Sequence, residues 1–179
     1  MYTTADVLKF LIKTLGGWAP YASLVHLAFL AQYDVRGREV RKYLANWQPL
    51  ARADFYLRAR ADSYLREGVF SFEIADAAKE FDARVVQIYP SLVYDGPAPS
   101  LPPPVERRLA YVAILYGDWK PWQLRRHIYE ILDLSIPEKR GDYSGHLIER
   151  YLHIEGFKIA EKELLTDYRD SPTGMSSQG

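Results

Sequence analysis

The chain has 179 residues, 48% of them hydrophobic and 14% aromatic, enough apolar material for a packed core in one domain or two small ones. Lys plus Arg and Asp plus Glu number 23 each, which excludes a whole-molecule field toward nucleic acid or anionic lipid, so any nucleic-acid site has to be a local patch. The absence of cysteine excludes a disulfide framework, a thiolate nucleophile and every cysteine-ligated metal site.

No apolar run approaches the roughly 20 residues that a membrane span needs, and the start, Met1-Tyr2-Thr3-Thr4-Ala5-Asp6, has no basic region ahead of an apolar one. The expectation is a soluble, unprocessed, cytoplasmic protein. Abundant Tyr, Arg and Leu with few Met suit a thermophile.

Thr3 with Asp6 resembles a capping box, and Val7, Leu8, Leu11, Ile12 and Leu15 give a broad apolar surface. A helix is therefore expected from about residue 4 to 15, stopped by Gly16-Gly17. Pro20 has the backbone angle wanted at a first helical position, and Leu24, Leu27, Ala28, Leu30 and Ala31 continue a second helix to Tyr33. Residues 36 to 50 mix helical and extended signals. Arg52 to Glu67 reads as a helix ended by Gly68, Val69 to Phe72 as a short strand, Ala75 to Phe81 as a short helix, and Arg84 to Tyr89 as a strand. Helices followed by a small hairpin form the winged-helix pattern.

The run Gly96-Pro97-Ala98-Pro99-Ser100-Leu101-Pro102-Pro103-Pro104 fits neither a helix interior nor a central strand, because each proline removes a donor. It divides the chain into a unit at 1–95, a linker at 96–104, a unit at 105–165 and a disordered tail at 166–179. Beyond the linker, Val105 to Tyr116 and a stretch from Pro121 to Leu132 or Leu134 read as helices. A loop follows, then a helix over Ser144 to Glu155.

The two helical pairs share a phrase. Leu15-Gly16-Gly17-Trp18-Ala19-Pro20-Tyr21 and Tyr116-Gly117-Asp118-Trp119-Lys120-Pro121-Trp122 place Gly, Trp, Pro and an aromatic at one spacing, with His26 and His127 equally far beyond the prolines. Trp18 and Trp119 are expected to fill the crevice between their paired helices. The fold class read from this pattern is mostly α with small β-hairpins, containing two helix-turn-helix or winged-helix-like units.

The helix after the second turn opens with Gln123, Arg125, Arg126 and His127, preceded by Lys120. Arg reads guanine edges or phosphate, Gln reads adenine, and recognition helices present their N-terminal residues to bases. The bland alternative is a solvated face with Arg125 or Arg126 paired to Glu130. The matching helix of the first copy has no Arg or Lys through Tyr33, so it reads as packed core or a partner surface. Basic residues among aromatics between Arg36 and Arg66 read more readily as surface charge beside core rings than as a strand-stacking site. The four histidines, His26, His127, His146 and His153, lack zinc spacing, and no nucleophile elbow or phosphate loop is present.

Leu24-Val25-His26-Leu27-Ala28-Phe29-Leu30-Ala31-Gln32-Tyr33 resembles the second-helix signature of Panacea-domain proteins, the SocA-antitoxin-like, phage-associated group. Tyr116-Gly117 followed by Leu124 is similar to that group's later Tyr-Gly and Leu element, with His26 where the family commonly has Lys. The resemblance implies a mostly helical domain that neutralises a toxin, or adapts it to a protease, through protein contacts and without catalysis.

The reading is a regulatory binding protein that is not an enzyme and needs no cofactor or metal. It uses Lys120, Gln123, Arg125, Arg126 and His127 at double-stranded DNA. The alternative is a protein-interaction module, antitoxin-like or a subunit of an assembly, and either reading admits a homodimer.

Overall fold

The computed structural model describes residues 2–33, 53–58, 68–132 and 134–135. Helix α1 is Thr4–Thr14, opened by the Thr3–Asp6 capping box: Asp6 N donates to Thr3 Oγ1 at 3.2 Å and Thr3 N to Asp6 Oδ2 at 3.0 Å. Gly16 and Gly17, both with φ +102°, turn the chain out of it. The next element is not yet a helix. Trp18–Pro20 form strand β1, and α2 runs Tyr21–Tyr33, so Pro20 closes a strand instead of opening a helix as its backbone angle suggested. The strand exists because Ala19 lies opposite Leu92, 73 residues away in sequence order, and an edge strand tolerates the missing N–H of a proline.

From Ser23 onward every residue of α2 is buried, which makes it the central rod of the core. The expected helix over Arg52 to Glu67 is corrected in its described part. Tyr56–Arg58 form strand β2, paired antiparallel with β3, Gly68–Phe70; residues 59–67 lie outside the described residues. Ser71 caps α3, Phe72–Ala78, with its Oγ accepting from Ile74 N at 3.3 Å, so the helix begins three residues earlier than Ala75. The single strand expected at 84–89 is a hairpin: β4, Asp82–Val86, and β5, Tyr89–Val93, with Gln87 at φ +58° in the tip. These form a three-stranded antiparallel sheet in the order β1-β5-β4.

Pro103 and Pro104 occupy the first turn of α4, Pro103–Tyr116, where missing donors cost nothing. After Gly117 to Lys120, α5 runs Pro121–Ile131. Helices α4 and α5 both pack on α2, and residues before and after the 96–104 segment contribute to one continuous core that includes Leu8, Phe29, Val105, Leu109 and Ile128. The readings for 36–50, for the helix over 144–155 and for the tail lie outside the described residues.

Two polar devices fix α2. The Gln32 amide donates to Ala53 O at 2.8 Å and accepts from Ala53 N at 3.0 Å, imitating a strand pairing in side-chain form. Arg108, with no exposed surface, donates from Nε to Ala31 O at 2.8 Å and from a terminal nitrogen to Leu30 O at 2.6 Å. Those carbonyls belong to the last turn of α2, Tyr21–Tyr33, where a cation also faces the negative end of the helix dipole. Among the described residues, no helix is long and apolar enough to cross a membrane.

Candidate functional site

Helix α5 sorts its residues by its own period. Leu124 and Ile128 are fully buried against the core, whereas Trp122, Arg126 and Glu130 stand exposed. Residues 122, 123, 126, 127 and 130 therefore form one stripe, and with Trp119 they line a cleft of about 230 Å³. Of the five residues predicted to contact DNA, Gln123, Arg126 and His127 meet there. Lys120 lines a neighbouring cleft of about 200 Å³ together with Trp18, Tyr89, Asp118 and Trp119.

Arg125 is elsewhere. It lies one residue, or about 100°, around the helix from Arg126. Its side chain passes over β3: a Cβ placed on Gly68 would meet Arg125 Cδ at 3.4 Å and His26 Nε2 at 2.8 Å. The sequence reading put Arg125 and Arg126 at one groove, and the helix turns them to different sides. Arg126 Nε stands 3.7 Å from Glu130 Oε1, both side chains more than half exposed, which is the i,i+4 pairing the bland alternative named.

The remaining polar groups mostly serve the fold. Gln123 Oε1 accepts from Lys120 N at 2.8 Å and so caps α5 with its own side chain. His127 Nε2 lies 3.2 Å from the Tyr116 hydroxyl, and its ring is held between Tyr116 and Trp119 at centroid distances of 5.2 and 5.4 Å. His26 is buried on α2; its Nδ1 donates to Ala22 O, which leaves Nε2 as a buried acceptor without a hydrogen bond among the described residues. Burial pushes its pKa from 6.5 down to about 4; the Ala22 carbonyl acts against that shift and Arg125 adds to it.

The tryptophans correct the sequence reading most. Trp18 and Trp119 were expected to fill crevices between helices, yet each keeps 37% of its surface exposed, and Trp122 keeps 49%. Trp119 packs edge-on against Tyr116 at 4.9 Å and forms the wall shared by both clefts. The repeated phrase thus brings its two turns together. Leu15, Trp18 and Pro20 from one copy face Gly117, Trp119 and Pro121 from the other across the smaller cleft.

A second surface was not singled out by the sequence. Between residues 71 and 90, α3 and the β4–β5 hairpin carry four carboxylates, Glu73, Asp76, Glu80 and Asp82, against two cations, Lys79 and Arg84. Phe72, Val85 and Ile88 are 64%, 70% and 80% exposed there. Phe72 belongs to an aromatic cluster with Tyr56 and Phe70, at centroid distances of 5.5 and 5.3 Å.

No family model, curated protein or solved structure matches the chain.

Proposed function

We propose that the chain is a non-enzymatic protein-interaction module whose partner surface is the tryptophan face of α5 and the turn before it. The observation that carries this reading is the position of three indoles, Trp18, Trp119 and Trp122, half in solvent around two adjoining clefts. Large aromatic rings with Arg are the residues that supply most binding energy at protein interfaces. The charges around them are balanced, Asp118 and Glu130 against Lys120 and Arg126, which suits a mixed polar rim better than a phosphate track.

The element order supports the same conclusion from another side. We read α1, β1, α2, α3, β4 and β5, with the sheet order β1-β5-β4, as a winged-helix-like unit in which α3 takes the place of the third helix and β4–β5 the place of the wing. In a DNA-binding version that helix and wing need net positive charge. Here they are acidic and apolar, and phosphate would be repelled. The resemblance to Panacea-domain proteins agrees with a protein partner.

DNA binding through Lys120, Gln123 and Arg126 is the second reading, favoured by the exposure of Lys120 and Arg126 at the start of α5. Two measurements separate the readings. A photo-crosslinking amino acid at position 122, used after nuclease treatment, is expected to capture a discrete protein that a crosslinker at the exposed Lys79 does not. Titration of labelled duplex DNA at low and high salt is expected to show no saturable binding. Steeply salt-dependent DNA binding, lost with Lys120→Ala and Arg126→Ala, together with no specific crosslink, overturns the protein-partner reading.

A further inference from the structure

We infer that the chain self-associates through the open edge of its three-stranded sheet, β4 of one copy pairing antiparallel with β4 of a second about a twofold axis at Ala83; this surface lies apart from the tryptophan face proposed above. In the order β1-β5-β4 the sheet has two edges. β1 is three residues long and ends in Pro20, which has no N–H to offer a further strand. β4, Asp82–Val86, carries neither proline nor bulge, and Asp82 to Val85 are exposed along it. An edge left in this state is a template for one more strand.

Pairing on the other side fixes which backbone groups face outward. Val85 lies opposite Pro90, which has no N–H, so this is a pair that exchanges no hydrogen bonds. Its neighbours Arg84–Ser91 and Val86–Tyr89 are the bonded ones, as a two-residue tip at Gln87 and Ile88 requires. By the same alternation, Ala83 and Val85 turn their N–H and C=O groups to the open edge. Val85 shares the sheet face of Leu92 and Ala19, both in the core, yet is 70% exposed, so β4 overhangs the core with an apolar side chain uncovered.

The side chains select the register. A second β4 can lie antiparallel with the twofold axis at any strand residue, and the position of the axis decides what meets across it. An axis at Asp82 sets carboxylate against carboxylate, and one at Arg84 sets guanidinium against guanidinium; like charges directly opposite destabilise a strand pair. An axis at Val85 or Val86 makes no ion pair. An axis at Ala83 places Asp82 of each copy opposite Arg84 of the other, in the non-hydrogen-bonded positions where side chains approach most closely. Neither group has an ion pair among the described residues. The same register lets Ala83 exchange N–H···O bonds with its own copy, and it brings Val85 opposite the half-buried Phe81, which covers the overhang.

The test is sedimentation velocity of the full chain from about 5 to 500 µM. Two five-residue strands make a small interface, so half-dimerisation is expected at about 10 to 200 µM. Asp82→Arg and Arg84→Asp, both at exposed positions, each turn two attractions into two repulsions and are expected to weaken the dimer by about tenfold or more. The double exchange, Asp82→Arg with Arg84→Asp, is expected to restore it. The two single variants, mixed, are expected to pair with each other, since each supplies the charges that the other lacks. Ala83→Cys gives a chain whose sole thiol lies on the axis, so mild oxidation is expected to link two copies, while Lys79→Cys stays unlinked. Trp122→Ala is expected to leave the dimer unchanged. A monomer at every concentration overturns the inference. So does a dimer that the single variants leave intact, or one that the double exchange fails to restore.

Discussion

The Arg108 guanidinium donates to the Leu30 carbonyl at 2.6 Å, across 78 residues of sequence. It donates to Ala31 as well, so one side chain from α4 binds two carbonyls in the last turn of the central helix. Removing it takes away two charge-assisted hydrogen bonds to buried backbone carbonyls. Arg108→Met is expected to destabilise the fold by about 3 kcal/mol, read as the shift in urea midpoint at constant slope. Arg108→Lys should restore only part, because an ammonium cannot present the planar fork that reaches two carbonyls at once.

Gly68 and His26 make a second contact that tolerates no added atom. Gly68 sits at φ +122°, a conformation L residues rarely adopt, and a Cβ there would press on His26 Nε2 at 2.8 Å. Gly68→Ala is expected to cost about 3 kcal/mol, part from backbone strain and part from the clash. A double-mutant cycle separates the two: in a His26→Ala background the cost of Gly68→Ala should fall to the strain alone, giving a coupling energy of about 1 kcal/mol or more.

The helical framework was legible because its signals are local. The Thr3–Asp6 box, the glycines after Leu15 and the prolines in the first turns of α4 and α5 each act within a few residues, and helices stand where they predict. The misreadings share the opposite cause. Pro20 ends a strand only because Ser91 and Leu92 are there to pair with β1, and Tyr56 is extended because Phe70 lies opposite. Arg108 carries no local mark that distinguishes it from its neighbour Arg107, yet one is fully buried and the other is not. The site was half legible: the repeated phrase pointed to both turns, but only tertiary packing shows that they face each other and keep their indoles at the surface.

His26 sets an acid limit on stability. Its pKa is about 4 in the folded chain, against 6.5 in the unfolded one, so between those values the unfolded state binds more protons. The contribution is fully present above about pH 6.5, falls as the pH drops through the window and is gone near pH 4. A difference of about 2.5 units corresponds to about 3 kcal/mol. Urea midpoints measured from pH 7 to pH 4 should therefore decline in the wild type more steeply than in His26→Gln. Parallel curves for the two would remove His26 as the cause.

Arg125 and Arg126 adjoin in sequence and should differ in what they change. The Arg125 charge helps to hold the His26 pKa down, so Arg125→Gln is expected to raise it toward 6.5 without reaching it, since burial is the larger cause. The window of acid sensitivity then narrows from its lower end, and histidine ring shifts followed by NMR across the titration read this directly. Arg126 points into the cleft with 75% of its side chain exposed and only the Glu130 pair to lose. Arg126→Ala should leave the His26 titration unchanged and alter stability by no more than about 0.5 kcal/mol, because exposed i,i+4 pairs contribute little. Equal effects of both variants on His26 would mean that Arg125 does not pass over β3, and the separation of the two arginines described for α5 would fail with it.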